Sequence, residues 1–263
     1  MIVIDDSAFM RRSLSLMLES DPNIKIVATA RDGRDGLEKI EKFRPDLVTL
    51  DVEMPGMDGL TALKVIMKEM PVPVLMVSSL TTEGAEVTLE ALHLGAVDFI
   101  SKDLSFVSVD ILRIKEELIA KVKEITSSRY IQLQFQMLKT GKSAERKPEV
   151  RTPVSRGASI RFPGTRPEAA VVGISTGGPL ALLQMIPKLP ADFSLPMAIV
   201  QHMPPHFTKT MADRLNSLSH VRVKEAEDGE PFERGTILIA PGGKQMTFVR
   251  DHGDTRVVVS VEP

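Results

Sequence analysis

Short apolar runs alternate with amphipathic stretches from the first residue to about residue 126. The runs are Ile2–Ile4, Ile24–Ala28, Leu47–Leu50, Pro73–Val77 and Val97–Ile100. They are rich in Val and Ile and apolar at successive positions, which predicts strands buried on both faces. Stretches with helical spacing follow them, near residues 8–19, 34–43, 60–69, 84–94 and 109–126. Five strands, each followed by a helix, predict a parallel sheet with helices on both faces.

The pattern then breaks. Residues 127–140 can extend the last helix. Residues 141–168 hold four Pro, seven Lys/Arg and few large apolar groups, which predicts a solvated linker rather than a folded unit. A second α/β pattern opens at Ala169. Ala169–Ile174 and Met197–Gln201 read as strands, with helices over Pro179–Ile186 and near Thr208–Leu218. Thr236–Ala240, Met246–Arg250 and Arg256–Val261 are expected to be strands of a sheet.

Composition narrows the class. A 43% hydrophobic and 26% charged chain of 263 residues has room for two ordinary domains. The net charge of −2 gives no reason to expect nucleic-acid binding. With no cysteine, disulfides and thiolate metal sites are excluded. No apolar run is long enough to cross a membrane and no signal peptide is evident, so a cytoplasmic location without membrane insertion is expected. Most of the 14 Met residues sit among other apolar residues, which predicts a core role.

Candidate chemistry gathers at strand ends. Asp5 and Asp6 end the first strand and Asp51 ends the third. Ligands of a parallel sheet collect at the carboxyl edge, and three carboxylates there make a hard oxygen site suited to Mg²⁺. A carboxylate beside such an ion can attack a phosphoryl group. Ser78, with Ser79 beside it, follows the fourth strand and Lys102 the fifth. Both types of group would contact phosphate oxygens. The segments IDDS (4–7), LDVEMPGMDG (50–59), VLMVSSL (74–80) and GAVDFISK (95–102) resemble the receiver domain of two-component signalling. The resemblance implies that Asp51 accepts phosphate from a histidine kinase. It further implies Mg²⁺ on Asp6 and Asp51, with Asp5 helping through water and the Glu53 carbonyl contributing, Ser78 as switch hydroxyl and Lys102 as phosphate-contacting lysine. One departure stands out: Asp103 follows Lys102, where receivers usually have Pro.

In VVGISTGGP (171–179) a buried strand runs into a Gly-rich turn, and Pro179 opens a helix. Three readings fit this turn. Ser175 can be a nucleophile beside an oxyanion site made by Thr176, Gly177 and Gly178. Gly173, Ser175 and Gly177 also match a nucleophile elbow. The loop can equally bind a phosphate. His202 ends the next strand, in IVQHMPPHFT, and so is expected at the same sheet edge, where it can take the Ser175 proton. His206 is the nearby rival, with a capping or surface role expected. His93, His220 and His252 are isolated.

Residues 169–263 resemble the catalytic domain of chemotaxis protein-glutamate methylesterases through VVGISTGGP, VQHMPPHFTKTMADRL and KEAEDGEPFERGTILIAPGG. The implied architecture is a five-stranded, parallel, flavodoxin-like receiver domain at 1–126, a linker at 127–168, and a partial doubly wound α/β methylesterase domain at 169–263. The implied activity is hydrolysis of glutamate methyl esters on chemoreceptors, with deamidation of glutamines. Ser175 would be the nucleophile and His202 the base, and Mg²⁺ would serve only the receiver. The family's catalytic Asp has no match up to Pro263, and Asp254 is not a convincing substitute, so the chain is expected to be C-terminally incomplete. Two other functions remain open: a catalytically inactive response regulator acting as a binding module, and a DNA-binding response regulator. The second is disfavoured by the absence of a basic recognition helix.

Overall fold

The computed structural model describes residues 1–79, 81–102, 110–139 and 167–261. Of the linker expected at 127–168, residues 140–166 lie outside these residues, as does Asp103.

The first unit alternates strand and helix: β1 (Ile2–Ile4), α1 (Ala8–Glu19), β2 (Ala28–Ala30), α2 (Gly33–Phe43), β3 (Val48–Asp51), α3 (Gly59–Glu69), β4 (Val74–Ser78), α4 (Thr82–His93), β5 (Asp98–Ser101) and α5 (Asp110–Ser127). The five strands are parallel in the order β2-β1-β3-β4-β5, which is the flavodoxin-like order. Four helices start on capping side chains. Ser7, Asp32, Asp58 and Thr81 each accept a backbone N–H three residues on, from Met10, Asp35, Thr61 and Gly84. Apolar side chains of β1, β3 and β4 are buried on both faces, so the sheet separates two cores.

The strand expected over Ile24–Ala28 forms instead at Ala28–Ala30. Ile24 and Ile26 pack on the α1/α5 core without joining the ladder. Residues 127–140 do not simply continue α5. The chain breaks at Ser128, and a separate helix, α6 (Arg129–Lys139), buries Ile131 and Phe135 in the same core.

The second unit runs β6 (Ala170–Ile174), α7 (Gly178–Met185), β7 (Met197–Gln201), α8 (Phe207–Leu218), β8 (Arg222–Glu225), β9 (Thr236–Ile239), β10 (Gln245–Asp251) and β11 (Asp254–Ser260). Four of these strands form a parallel sheet ordered β6-β7-β9-β8. β8 carries Arg, Lys and Glu, and its polar composition hid it from the apolar pattern. The last three expected strands are not in one sheet: β9 belongs to the parallel sheet, while β10 and β11 form a separate antiparallel hairpin.

The two units share a core. Leu89, Leu92 and Phe99 of the first belong to one apolar cluster with Leu182, Phe207 and Met211 of the second. Phe99 and Phe207 stack with centroids 4.6 Å apart and planes at 9°. Helix α4 packs on α7 and α8, and β5 meets α7.

Candidate functional site

The sheet order reverses between β1 and β3, so a crevice opens at their carboxyl ends. Asp5 and Asp51 are buried there and Asp6 is exposed. One carboxylate oxygen from each lies within 4.8 Å of the others. Backbone amides hold the two buried carboxylates: Ser7 N–H donates to Asp5 Oδ1 at 2.9 Å and Glu53 N–H to Asp51 Oδ1 at 3.1 Å. Lys102 Nζ lies 2.5 Å from Asp51 Oδ2 and 3.5 Å from Asp5 Oδ2. Burial pushes the Asp51 carboxyl up to about 6 despite Lys102, and it raises Asp5 as well. Three carboxylates face one ammonium, an arrangement short of positive charge. Their oxygen donors fit a hard divalent cation, which would offset the burial of Asp5 and Asp51.

Ser78 is buried at the end of β4. Its hydroxyl donates toward the carbonyls of Gly84 (3.3 Å) and Ser79 (3.4 Å), that is, toward the start of α4 rather than toward Asp51. Ser79 donates to Glu53 Oε1 at 3.2 Å. The Lys102 N–H donates to the Ser78 carbonyl at 2.6 Å, tying the β4 and β5 exits together. Gly59 fits this crowded corner because a Cβ would overlap the Asp51 carbonyl oxygen.

In the second unit β6 and β7 pair in register Ile174↔Gln201, so Ser175 and His202 leave the same sheet edge side by side. Both side chains are exposed. The His202 N–H donates to the Ile174 carbonyl at 3.3 Å. Among the described residues no hydrogen bond joins Ser175 Oγ to His202. The turn closes with Gly178 N–H donating to the Ser175 carbonyl at 2.9 Å, and Gly177 adopts φ +74°. His206 has φ +72° and an exposed side chain that makes no cap bond. His252 pairs with its neighbour Asp251 at 2.6 Å on the hairpin. Asp254 starts β11, in a different sheet from β6, the strand that leads into Ser175.

Two side chains at this edge were not singled out in the sequence. Gln201 is buried at the end of β7, and its Nε2 donates to the carbonyls of Ser175 (3.1 Å) and His202 (3.3 Å). Asp98 comes from the first unit, at the start of β5. Its buried carboxylate pairs with the buried Lys121 Nζ at 2.9 Å and accepts the Gly177 N–H at 3.3 Å. Burial raises the Asp98 carboxyl despite Lys121. Both lie within segments quoted from the sequence, GAVDFISK and VQHMPPHFTKTMADRL, but no chemistry is read from them there: Asp98 reads as a polar strand start and Gln201 as a residue beside a candidate base. A pocket of about 240 Å³ adjoins the turn, lined by Ser175, Thr176, Gly177 and Gly178 on one side and by Ile131 and Gln134 of α6 on the other.

Residues 1–110 match the response regulator receiver domain, and residues 170–263 match CheB methylesterase. The protein-glutamate methylesterase/protein-glutamine glutaminase 1 of Oleidesulfovibrio alaskensis is 49% identical over 273 residues, covering 100% of this chain and 74% of that relative. The chain belongs to this family. Enzyme 2 of Nitratidesulfovibrio vulgaris is also 49% identical, over 278 residues with the same coverages. The Bacillus subtilis relative is 43% identical over 258 residues, covering 98% and 71%. Membership makes the chain a receiver-linked member of a chemotaxis hydrolase family and sets aside the DNA-binding reading. The inactive-module reading finds no support in relatives named as enzymes. Receivers bind Mg²⁺ through acidic residues, and the Asp5–Asp6–Asp51 cluster has the donor set for it. No described helix is long and apolar enough to cross a membrane.

Proposed function

We propose that this chain is a phosphorylation-controlled protein-glutamate methylesterase and glutaminase acting on chemoreceptor side chains in the cytoplasm. Asp51 takes the phosphoryl group from a chemotaxis histidine kinase. Asp5, Asp6 and Asp51 would hold the Mg²⁺, whose charge offsets that of the incoming phosphoryl group. Lys102, already on Asp51, is within reach of a phosphate oxygen there. The Ser78 hydroxyl would have to turn away from Gly84 to meet it.

In the second unit Ser175 Oγ attacks the ester carbonyl while His202 takes its proton. Methanol leaves, and water attacks the acyl-enzyme with His202 again as base. For a glutamine the leaving group is ammonia. Turn N–H groups of Thr176 and Gly177 are the candidate donors to the oxyanion, whereas the Gly178 N–H, expected among them, is committed to the Ser175 carbonyl.

The observation that carries the regulatory part is the Gly177 N–H bound to Asp98. A candidate oxyanion donor is occupied by a receiver carboxylate, and α6 walls the pocket beside Ser175. The unphosphorylated receiver thus holds the turn in a state unfit for substrate. Phosphorylation at Asp51 favours a receiver state that releases it.

The test measures methanol release from methylated receptor membranes with Mg²⁺ and a small phosphodonor. Wild type should be stimulated by the phosphodonor, Asp51→Asn should stay at the basal rate, and Ser175→Ala should release none. Activity surviving in Ser175→Ala would sink the nucleophile assignment.

A further inference from the structure

We infer that Gln201 is a positioning residue that fixes the spacing between the Ser175 turn and His202. The inference rests on the Ser175–His202 reading and adds a residue to it. The β6–β7 ladder ends at Ile174 and Gln201, with one more bond from His202 N–H to the Ile174 carbonyl. Beyond it the chains part, Ser175 into the Gly-rich turn and His202 toward α8. Nothing in the ladder fixes the two reacting side chains past that point. The Gln201 amide does so: its two N–H groups reach the Ser175 and His202 carbonyls, at 3.1 and 3.3 Å.

The orientation of this amide is dictated by its partners, because only the NH₂ end can meet two carbonyl oxygens. Its Oε1 is then left buried without a partner, against Gly178, where a Cβ would overlap it. A side chain serving only to fill the strand end would be better apolar, since an unpaired buried acceptor is costly. The chain keeps a polar group there, with a glycine opposite to make room. The reacting atoms must meet within a few tenths of an ångström, so a brace between their two backbones acts on the chemical step rather than on substrate affinity.

The assay is methyl-ester hydrolysis by the phosphorylated full chain. Gln201→Met keeps the volume and removes both donors. Gln201→Asn keeps the amide but cannot span the gap. Both should lower kcat about 10- to 100-fold and leave KM within about twofold. The rate at which a fluorophosphonate labels Ser175 should fall in parallel. In a His202→Ala background, where no base remains to be positioned, Gln201→Met should cost nothing further. An unchanged kcat, or the same fold-loss with and without His202, would overturn the inference. So would failure of both variants to fold, which would make Gln201 a structural residue. Ser175→Ala is assayed alongside. If it stays active, the nucleophile reading fails by itself. If it is dead while Gln201→Met is fully active, only the positioning role fails.

Discussion

At the scale of single residues, burial and charge oppose each other at Asp51. An ordinary aspartate titrates near about 3.9, and burial lifts Asp51 to about 6. The folded protein therefore binds this proton more tightly than the unfolded chain. That contribution to stability is complete below the unfolded pKa and is lost as pH rises through about 6. Asp51→Asn removes the loss. In EDTA the variant should unfold at higher denaturant than wild type near neutral pH, by about 1–3 kcal/mol. The gap should close near pH ~4 and shrink when Mg²⁺ is added to wild type. Denaturant titrations at the two pH values decide this, and a gap independent of pH would show that burial of the charge is not its cause. Gly59 gives a second case, set by space instead of charge. A Cβ there meets the Asp51 carbonyl, a backbone atom with no freedom to yield. Gly59→Ala should cost about 1–3 kcal/mol and slow phosphorylation of Asp51, read by denaturant titration and by acyl-phosphate labelling.

Among the elements, legibility followed burial. β1, β3 and β4 lie inside the sheet and carry unbroken apolar runs, so the pattern located them. The edge strands divided: β5 and β6 were located by their apolar runs, although β6 is half-exposed and not the buried strand expected, while β2 and β8 were harder. β2 forms only at Ala28–Ala30 because Ile24 and Ile26 serve the helical core instead of the ladder. β8 is half solvated and polar and gave no apolar signal. The candidate site divides in the same way. Asp5, Asp6, Asp51, Ser78, Lys102, Ser175 and His202 were visible because strand ends put functional groups at predictable edges. Asp98 and Gln201 were not, because their roles depend on partners 79 and 26 residues away. The stacked Phe99 and Phe207 are a further long-range pair, joining β5 to the start of α8. Phe207 is fully buried, so Phe207→Ala should destabilise by about 3–5 kcal/mol. It should also loosen the receiver from the second unit. A raised basal esterase rate in whatever fraction stays folded is the readout, and an unchanged rate would confine Phe207 to packing.

For the whole molecule, the question is how a phosphoryl group at one sheet edge reaches a turn in another domain. The two units are continuous in packing, since one apolar cluster spans both, and the Gly177–Asp98 hydrogen bond adds a polar link between them. Asp98 accepts the Gly177 N–H while balanced by Lys121. A buried pair of this kind adds little net stability, because desolvation consumes most of the Coulomb gain. Its value lies in the position it holds on the turn. Removing one partner alone is a poor test, as the orphaned buried charge would cost about 3–5 kcal/mol by itself. The double variant Asp98→Leu/Lys121→Met avoids that orphan and leaves no side-chain acceptor for the Gly177 N–H. Without phosphodonor it should exchange the Gly177 amide faster than wild type and show a higher basal esterase rate. Phosphorylation should then add less than it does in wild type, because part of its work is already done. Hydrogen exchange resolved at Gly177, measured with and without phosphodonor, separates this latch from simple steric cover. If the turn exchanges as slowly in the double variant as in wild type, the apolar interface alone holds the domains, and Asp98 is not the link between phosphorylation and the turn.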